Sequence, residues 1–123
     1  MKAFQKFGNA LRIDLQRVSL RKRAKGFRRG AGAVFVWEGV IGYISGDEID
    51  RSLRFMASAG GPRSRVVFTY VEGIFDPETA AEATRRTGWS SSEEWGGDDL
   101  WRRYLPGDPH PSAFVVKLGI AIV

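Results

Sequence analysis

Cysteine is absent from this 123-residue sequence, which excludes a disulfide framework, cysteine-ligated zinc and thiol catalysis. It is compatible with a reducing compartment. Histidine occurs once, as His110 between Pro109 and Pro111. With no second ligand at metal-binding spacing, His110 reads as a surface residue and no metal site is expected. No apolar run reaches membrane-spanning length, and no signal-peptide core follows the basic N-terminus, so the expected location is the cytoplasm with no membrane partner. The serine run Ser90 to Ser92 has no histidine placed beside it by sequence and is not a nucleophile candidate. Internal repeats are lacking, and the one biased tract is basic.

What remains is the composition of one globular domain, 43% hydrophobic and 27% charged, at the lower end of size for a doubly wound sheet. The net charge of +5 is unevenly spread. Residues 1 to 30 hold ten Lys or Arg against the single acid Asp14, a local +9, so the remaining 93 residues carry a net −4. Such asymmetry raises nucleic-acid or membrane-surface binding as a hypothesis.

Residues 1 to 25 are expected to form a basic amphipathic helix: Phe4, Phe7, Leu11, Leu15 and Val18 recur at helical spacing, with charged and polar residues on the other faces. Gly26 supplies a stop. The tract Arg21, Lys22, Arg23, Lys25, Arg28 and Arg29 has only Phe27 interleaved. Single-strand binders usually offer several aromatics among their cations, so a solvated face is the leading reading and phosphate binding the alternative.

The stretch that organises the chain is Ala33 to Tyr43. Ala33 to Trp37 is an unbroken apolar run, the pattern of a strand buried on both faces in a parallel sheet. Glu38 and Gly39 follow directly, at the place where open α/β sheets put their ligands, beyond the carboxyl ends of the strands. A solvated loop acid is the plain alternative for Glu38. Ser45 to Glu48 has the spacing of a capping box, and the helix it opens runs to about Ser58, with Ile49, Leu53, Phe55, Met56 and Ala57 facing inwards. Gly60-Gly61-Pro62 ends it.

Arg65 to Val71 reads as a second buried strand, which makes a right-handed βαβ unit with the first. Asp76 and Pro77 are expected to open a polar helix that Gly88 closes, lying across the edge or mouth of the sheet. Trp89 to Trp95 is a poor strand former admitted as a short edge strand. Asp98 to Tyr104 reads as a short helix with Leu100, Trp101 and Tyr104 on one side. Ala113 to Val123 is long and apolar enough to insert centrally, although Lys117 and Gly119 interrupt it.

The run Phe35-Val36-Trp37-Glu38-Gly39-Val40-Ile41-Gly42-Tyr43 resembles S-adenosylmethionine-dependent methyltransferases of the leucine carboxyl methyltransferase-like family. The resemblance continues through Leu53 to Ser58, Arg65 to Tyr70, Gly88-Trp89 and Leu100 to Pro106, and covers about Gly26 to the C-terminus. It implies an α/β, Rossmann-like class I methyltransferase fold in part. Residues 26 to 123 would be the second half of the sheet, with four strands, the last antiparallel and inserted between the second and third. It implies S-adenosyl-L-methionine as cofactor, Glu38 against the ammonium group of its methionine moiety, and Tyr43 near the methyl acceptor, a carboxylate or hydroxyl. Packing under the loop is the alternative for Tyr43.

The family's Gly-rich turn and the acid after its second strand have no counterpart here. Gly30-Ala31-Gly32 lacks a strand before it and a helix after it, and is a loop. The expectation is therefore the C-terminal portion of a methyltransferase, with no acid-base dyad required for catalysis. The missing half is expected from a separate chain or compensated by a homodimer. A non-catalytic module, dimeric or binding nucleic acid through the basic N-terminus, is the other reading.

Overall fold

The computed structural model describes residues 27–123. The helix expected over residues 1 to 25, and with it Arg21, Lys22, Arg23 and Lys25, lies outside the described residues. The architecture is α/β: a four-strand mixed sheet with flanking helices. The strands are β1 (Val34–Trp37), β2 (Arg65–Val71), β3 (Ser91–Gly96) and β4 (Val116–Ile122), in spatial order β1-β2-β4-β3. β1 and β2 are parallel, with Phe35 beside Val66 and Trp37 beside Phe68. β4 runs antiparallel to both β2 and β3. Consequently β1, β2 and β3 all point the same way, and only the last strand is reversed.

Helix α1 (Gly46–Gly60) makes the crossover from β1 to β2. Its start is fixed by the capping box: the Glu48 amide donates to Ser45 Oγ at 3.2 Å, and the Ser45 amide donates to Glu48 Oε2 at 3.0 Å. Its end is fixed by Gly61, at φ 73, whose N–H reaches Ala57 O. Ile49, Leu53, Met56 and Ala57 recur every three or four residues and are buried. They form one core with Phe35, Trp37, Val66, Phe68 and Tyr70 of the sheet. Ser64, between α1 and β2, is fully buried, and its hydroxyl is satisfied by the Ala33 amide at 3.0 Å.

Opposite Phe68 on β4 stands Gly119. A methyl group placed on its Cα would overlap the Phe68 ring. The glycine that interrupts the apolar run of β4 therefore makes room for the Phe68 ring of β2, and Lys117 is half-buried beside Tyr70.

The structure corrects three sequence expectations. β1 is not buried on both faces: Phe35 and Trp37 are buried, while Val34 is exposed and Val36 half-buried. The strand therefore has the alternation of a sheet with one dry face. The second helix, α2 (Ala80–Arg86), starts later than Asp76-Pro77, because Thr79 forms its own capping box with Glu82. Its inward face is built partly from threonines. Thr84 and Thr87 are buried and donate their hydroxyls to Ala80 O at 2.9 Å and Ala83 O at 2.7 Å, which satisfies them locally. Finally, α3 (Gly97–Tyr104) follows β3 without a break, but Tyr104 is 69% exposed rather than packed with Leu100 and Trp101.

Candidate functional site

Because β1, β2 and β3 are mutually parallel, their carboxyl ends share one rim of the sheet, and β4 begins at that rim. Trp37, Val71 and Gly96 are the last strand residues on that side. Glu38, the segment from Glu72 to Thr79, and the whole connection from Gly97 to Val115 therefore gather there. This is the end at which open α/β sheets bind ligands.

Glu38 is exposed at this rim, immediately past β1. Its position is set by the next residue. Gly39 adopts φ 68, and its N–H donates to Thr69 Oγ1 of β2 at 2.9 Å. Val40 and Ile41 then turn inwards and are buried, which anchors a 3-10 turn over Ile41–Tyr43. Tyr43, at the end of that turn, is 81% exposed. The packing role under the loop is thereby ruled out for its ring. Glu38 and Tyr43 emerge from the same short connection, and Glu38 has no ion-pair partner among the described residues.

Sequence reasoning missed the apolar character of the rest of the rim. Among the described residues nine large hydrophobic side chains are exposed, and all but Val34 lie in the connections or at the strand ends on this side: Tyr43, Val71, Ile74, Tyr104, Leu105, Phe114, Val115 and Val116. In the sequence, Phe114 to Val116 merge into the last strand, so their exposure has no signal there. Two cations lie among these aromatics. The Arg102 guanidinium is 5.8 Å from the Phe114 ring centre, and Arg103 lies 6.0 Å from Trp95 and 5.6 Å from Tyr104. Arg102 also bonds Asp98 at 2.9 Å, which holds that carboxyl below the usual carboxylate range. Arg103 makes no ion pair among the described residues.

Two buried groups flank the rim. Trp37 is fully buried and its Nε1–H finds no acceptor among the described residues, an arrangement that costs about 1–3 kcal/mol. Tyr70 donates its hydroxyl to Glu94, and burial together with that carboxylate pushes the phenol pKa well up. Tyr70 therefore stays a neutral donor at physiological pH.

The other sequence candidates are placed apart from the rim or play local roles. Arg28 and Arg29 are exposed, and Arg29 Nη2 donates to Ser58 Oγ at 2.9 Å, at the far end of α1. His110 caps the 3-10 turn Pro111–Phe114, its Nδ1 accepting from the Ser112 amide at 3.2 Å. Among the described residues no group of three or more His, Cys, Asp or Glu side chains converges to hold a metal ion. No helix among them is long and apolar enough to cross a membrane. Comparison with protein-family models finds no match to the chain, and comparison with curated proteins finds none either.

Proposed function

We propose that this chain is a methyltransferase-type domain whose rim, from Glu38 to Tyr43, meets S-adenosyl-L-methionine and a methyl acceptor. The observation that carries the reading is the strand order. β1, β2 and β3 are parallel, and the reversed β4 is inserted between the second and third of them. That is the arrangement the sequence resemblance implies for the second half of a class I methyltransferase sheet.

The fit to the cofactor is partial and local. A carboxylate at the end of β1 that is exposed and has no ion-pair partner among the described residues suits an ammonium group, through a charge-assisted hydrogen bond. Nothing among residues 27–123 supplies a Gly-rich cradle for the adenosyl part, so that contact falls to a separate chain or to further residues. The cofactor supplies an already activated methyl group. The chain's own residues act by position. Glu38 fixes one end of the donor, and the apolar rim excludes water around an oxygen nucleophile on the acceptor. Alignment of this kind lowers the barrier by restricting the reacting pair, without an acid-base dyad.

Calorimetric titration of the folded full chain with S-adenosylmethionine and S-adenosylhomocysteine tests the reading. Stoichiometric binding that is lost in Glu38→Ala supports it. A folded chain that binds neither compound, alone or with added partner fractions, overturns it.

A further inference from the structure

The rim that carries Glu38 and Tyr43 is acidic as well as apolar. Eight of the nine large hydrophobic side chains exposed among the described residues lie there. Exposed apolar surface concentrated at one end of a domain and framed by polar groups marks an interaction site. Glu38, the segment 72–79 and the connection 97–115 add seven carboxylates against Arg102 and Arg103, a net −5. Glu38, Glu72, Asp76 and Asp108 are exposed and have no ion-pair partner among the described residues. On the sheet face turned away from α1, by contrast, Val67, Leu118 and Ile120 are half-buried.

The complement of this surface is in the chain itself. Residues 1–26 lie outside the described structure. Their sequence holds eight Lys or Arg against Asp14, a net +7, around the apolar stripe Phe4, Phe7, Leu11, Leu15 and Val18. We infer that this segment, as an amphipathic helix, seats its stripe on the rim, with its cations among the rim carboxylates.

Length, reach and tethering select this occupant. At about 1.5 Å per residue, the stripe from Phe4 to Val18 is about 21 Å long. The outermost strands of the sheet are three spacings apart, about 14 Å, so one helix crosses the rim from the β1 end to the β3 end. The described chain starts at the opposite end of β1, where the Gly30 and Gly32 amides donate to Ala59 O and Gly60 O at the close of α1, each at 2.9 Å. From Gly32 to Glu38 the chain climbs about 20 Å, and the eight residues 19–26 span up to about 26 Å when extended. The tether therefore reaches the rim. It also holds the segment there at an effective concentration of about millimolar, which favours the chain's own segment over that of a second copy.

Seated in this way, the segment covers the turn that carries Glu38 and Tyr43, and a ligand of the rim must displace it. The contact requires only the charge and apolarity of the rim, and holds whether or not the chain transfers methyl groups.

Lysine placement makes the contact readable. Four of the five lysines, Lys2, Lys6, Lys22 and Lys25, lie in the segment, and the fifth, Lys117, is half-buried in β4. Zero-length coupling of the full chain with a water-soluble carbodiimide joins an amine only to a carboxylate in contact with it. Peptide mass spectrometry is expected to find Lys2 or Lys6 linked to Glu38, Glu72, Asp76 or Asp108. In a mixture of isotope-labelled and unlabelled chain, each link should join residues of the same copy. Leu11→Asp with Leu15→Asp charges the stripe, and Phe114→Asp charges the rim. Each should lower the yield of these links at least tenfold with unchanged near-ultraviolet circular dichroism. Links confined to carboxylates away from the rim, such as Glu93, links between labelled and unlabelled copies, or links that survive both charged variants would overturn the inference, as would a folded chain that forms none.

Discussion

Gly119 on β4 lies directly opposite Phe68 on β2, and the phenyl ring occupies the space a side chain on Gly119 would need. Phe68 is in turn stacked on Tyr70 at 5.4 Å and meets the edge of Phe75 at 6.2 Å, so it has little room to withdraw. Gly119→Ala is therefore expected to destabilise the fold by about 1–3 kcal/mol, the usual range for overpacking. A urea midpoint shift at unchanged slope is the measurement. The double variant Gly119→Ala with Phe68→Leu should recover part of the loss, since the smaller side chain vacates the contested space.

Both capping boxes make separable contributions. The Ser45 and Thr79 hydroxyls each accept from the amide three residues on, and each residue donates its own amide N–H to the carboxylate of Glu48 or Glu82. Ser45→Ala and Thr79→Ala should each cost about 1 kcal/mol, read as shifts in chemical denaturation. The two helices are far enough apart in the chain, and share no cap residue, that the losses should add.

These caps also show what the sequence made legible. Ser45 stood alone before an apolar periodic segment, so the start of α1 could be placed. Thr79 competed with Asp76-Pro77, a stronger-looking opening, and only the fold decides between two adjacent caps. The central placement of β4 followed from its length and apolarity. The burial of Thr84 and Thr87 did not, because a threonine can be dry on a helix only when its hydroxyl finds a carbonyl of the preceding turn, which pattern alone does not reveal. At the candidate site, Glu38 could be named from its place after a strand, and Tyr43 only from the family resemblance. The apolar rim around them could not, since Phe114 to Val116 are indistinguishable from core residues until the sheet assigns them an end.

Arg86 joins three segments. Its guanidinium bonds Glu78 through Nε and Nη2, each at 2.7 Å, and also grips Asp50 of α1, with Nη2 at 3.0 Å. The Arg86 hydrogen bonds hold both carboxyls below their ordinary values of 3.8 and 4.5. A carboxyl with a lowered folded pKa stabilises the fold fully above its unfolded value, and that contribution fades as pH falls through the folded one. The stability gap between the unmodified chain and Arg86→Ala should thus be constant from neutral pH to about pH 5 and close in stronger acid. Urea midpoints for both proteins across that range test this, and a gap that persists in strong acid would assign the role of Arg86 to packing instead.

Trp89 leaves α2 and is buried, with its Nε1–H donating to Leu53 O of α1 at 3.2 Å. Trp89→Phe removes the donor while keeping much of the ring, and should cost about 1–2 kcal/mol from the lost hydrogen bond. Trp89→Ala should cost about 3–5 kcal/mol, because a cavity opens between α1 and the exit of α2. Similar losses for the two variants would mean that the hydrogen bond, not the volume, dominates this corner.

Glu38 offers the sharpest contrast between fold and function. It is exposed and makes no ion pair among the described residues, so Glu38→Gln should leave stability within about 0.5 kcal/mol, as at most surface positions. The same change removes the charge proposed to meet the cofactor's ammonium group while preserving the side chain's shape. Under the methyl-transfer reading, calorimetric binding of S-adenosylhomocysteine should fall at least tenfold, which corresponds to about 1.4 kcal/mol, with no shift in the urea midpoint. A midpoint that moves instead, with binding unaltered, would reassign Glu38 from the ligand to the support of the turn that carries Tyr43.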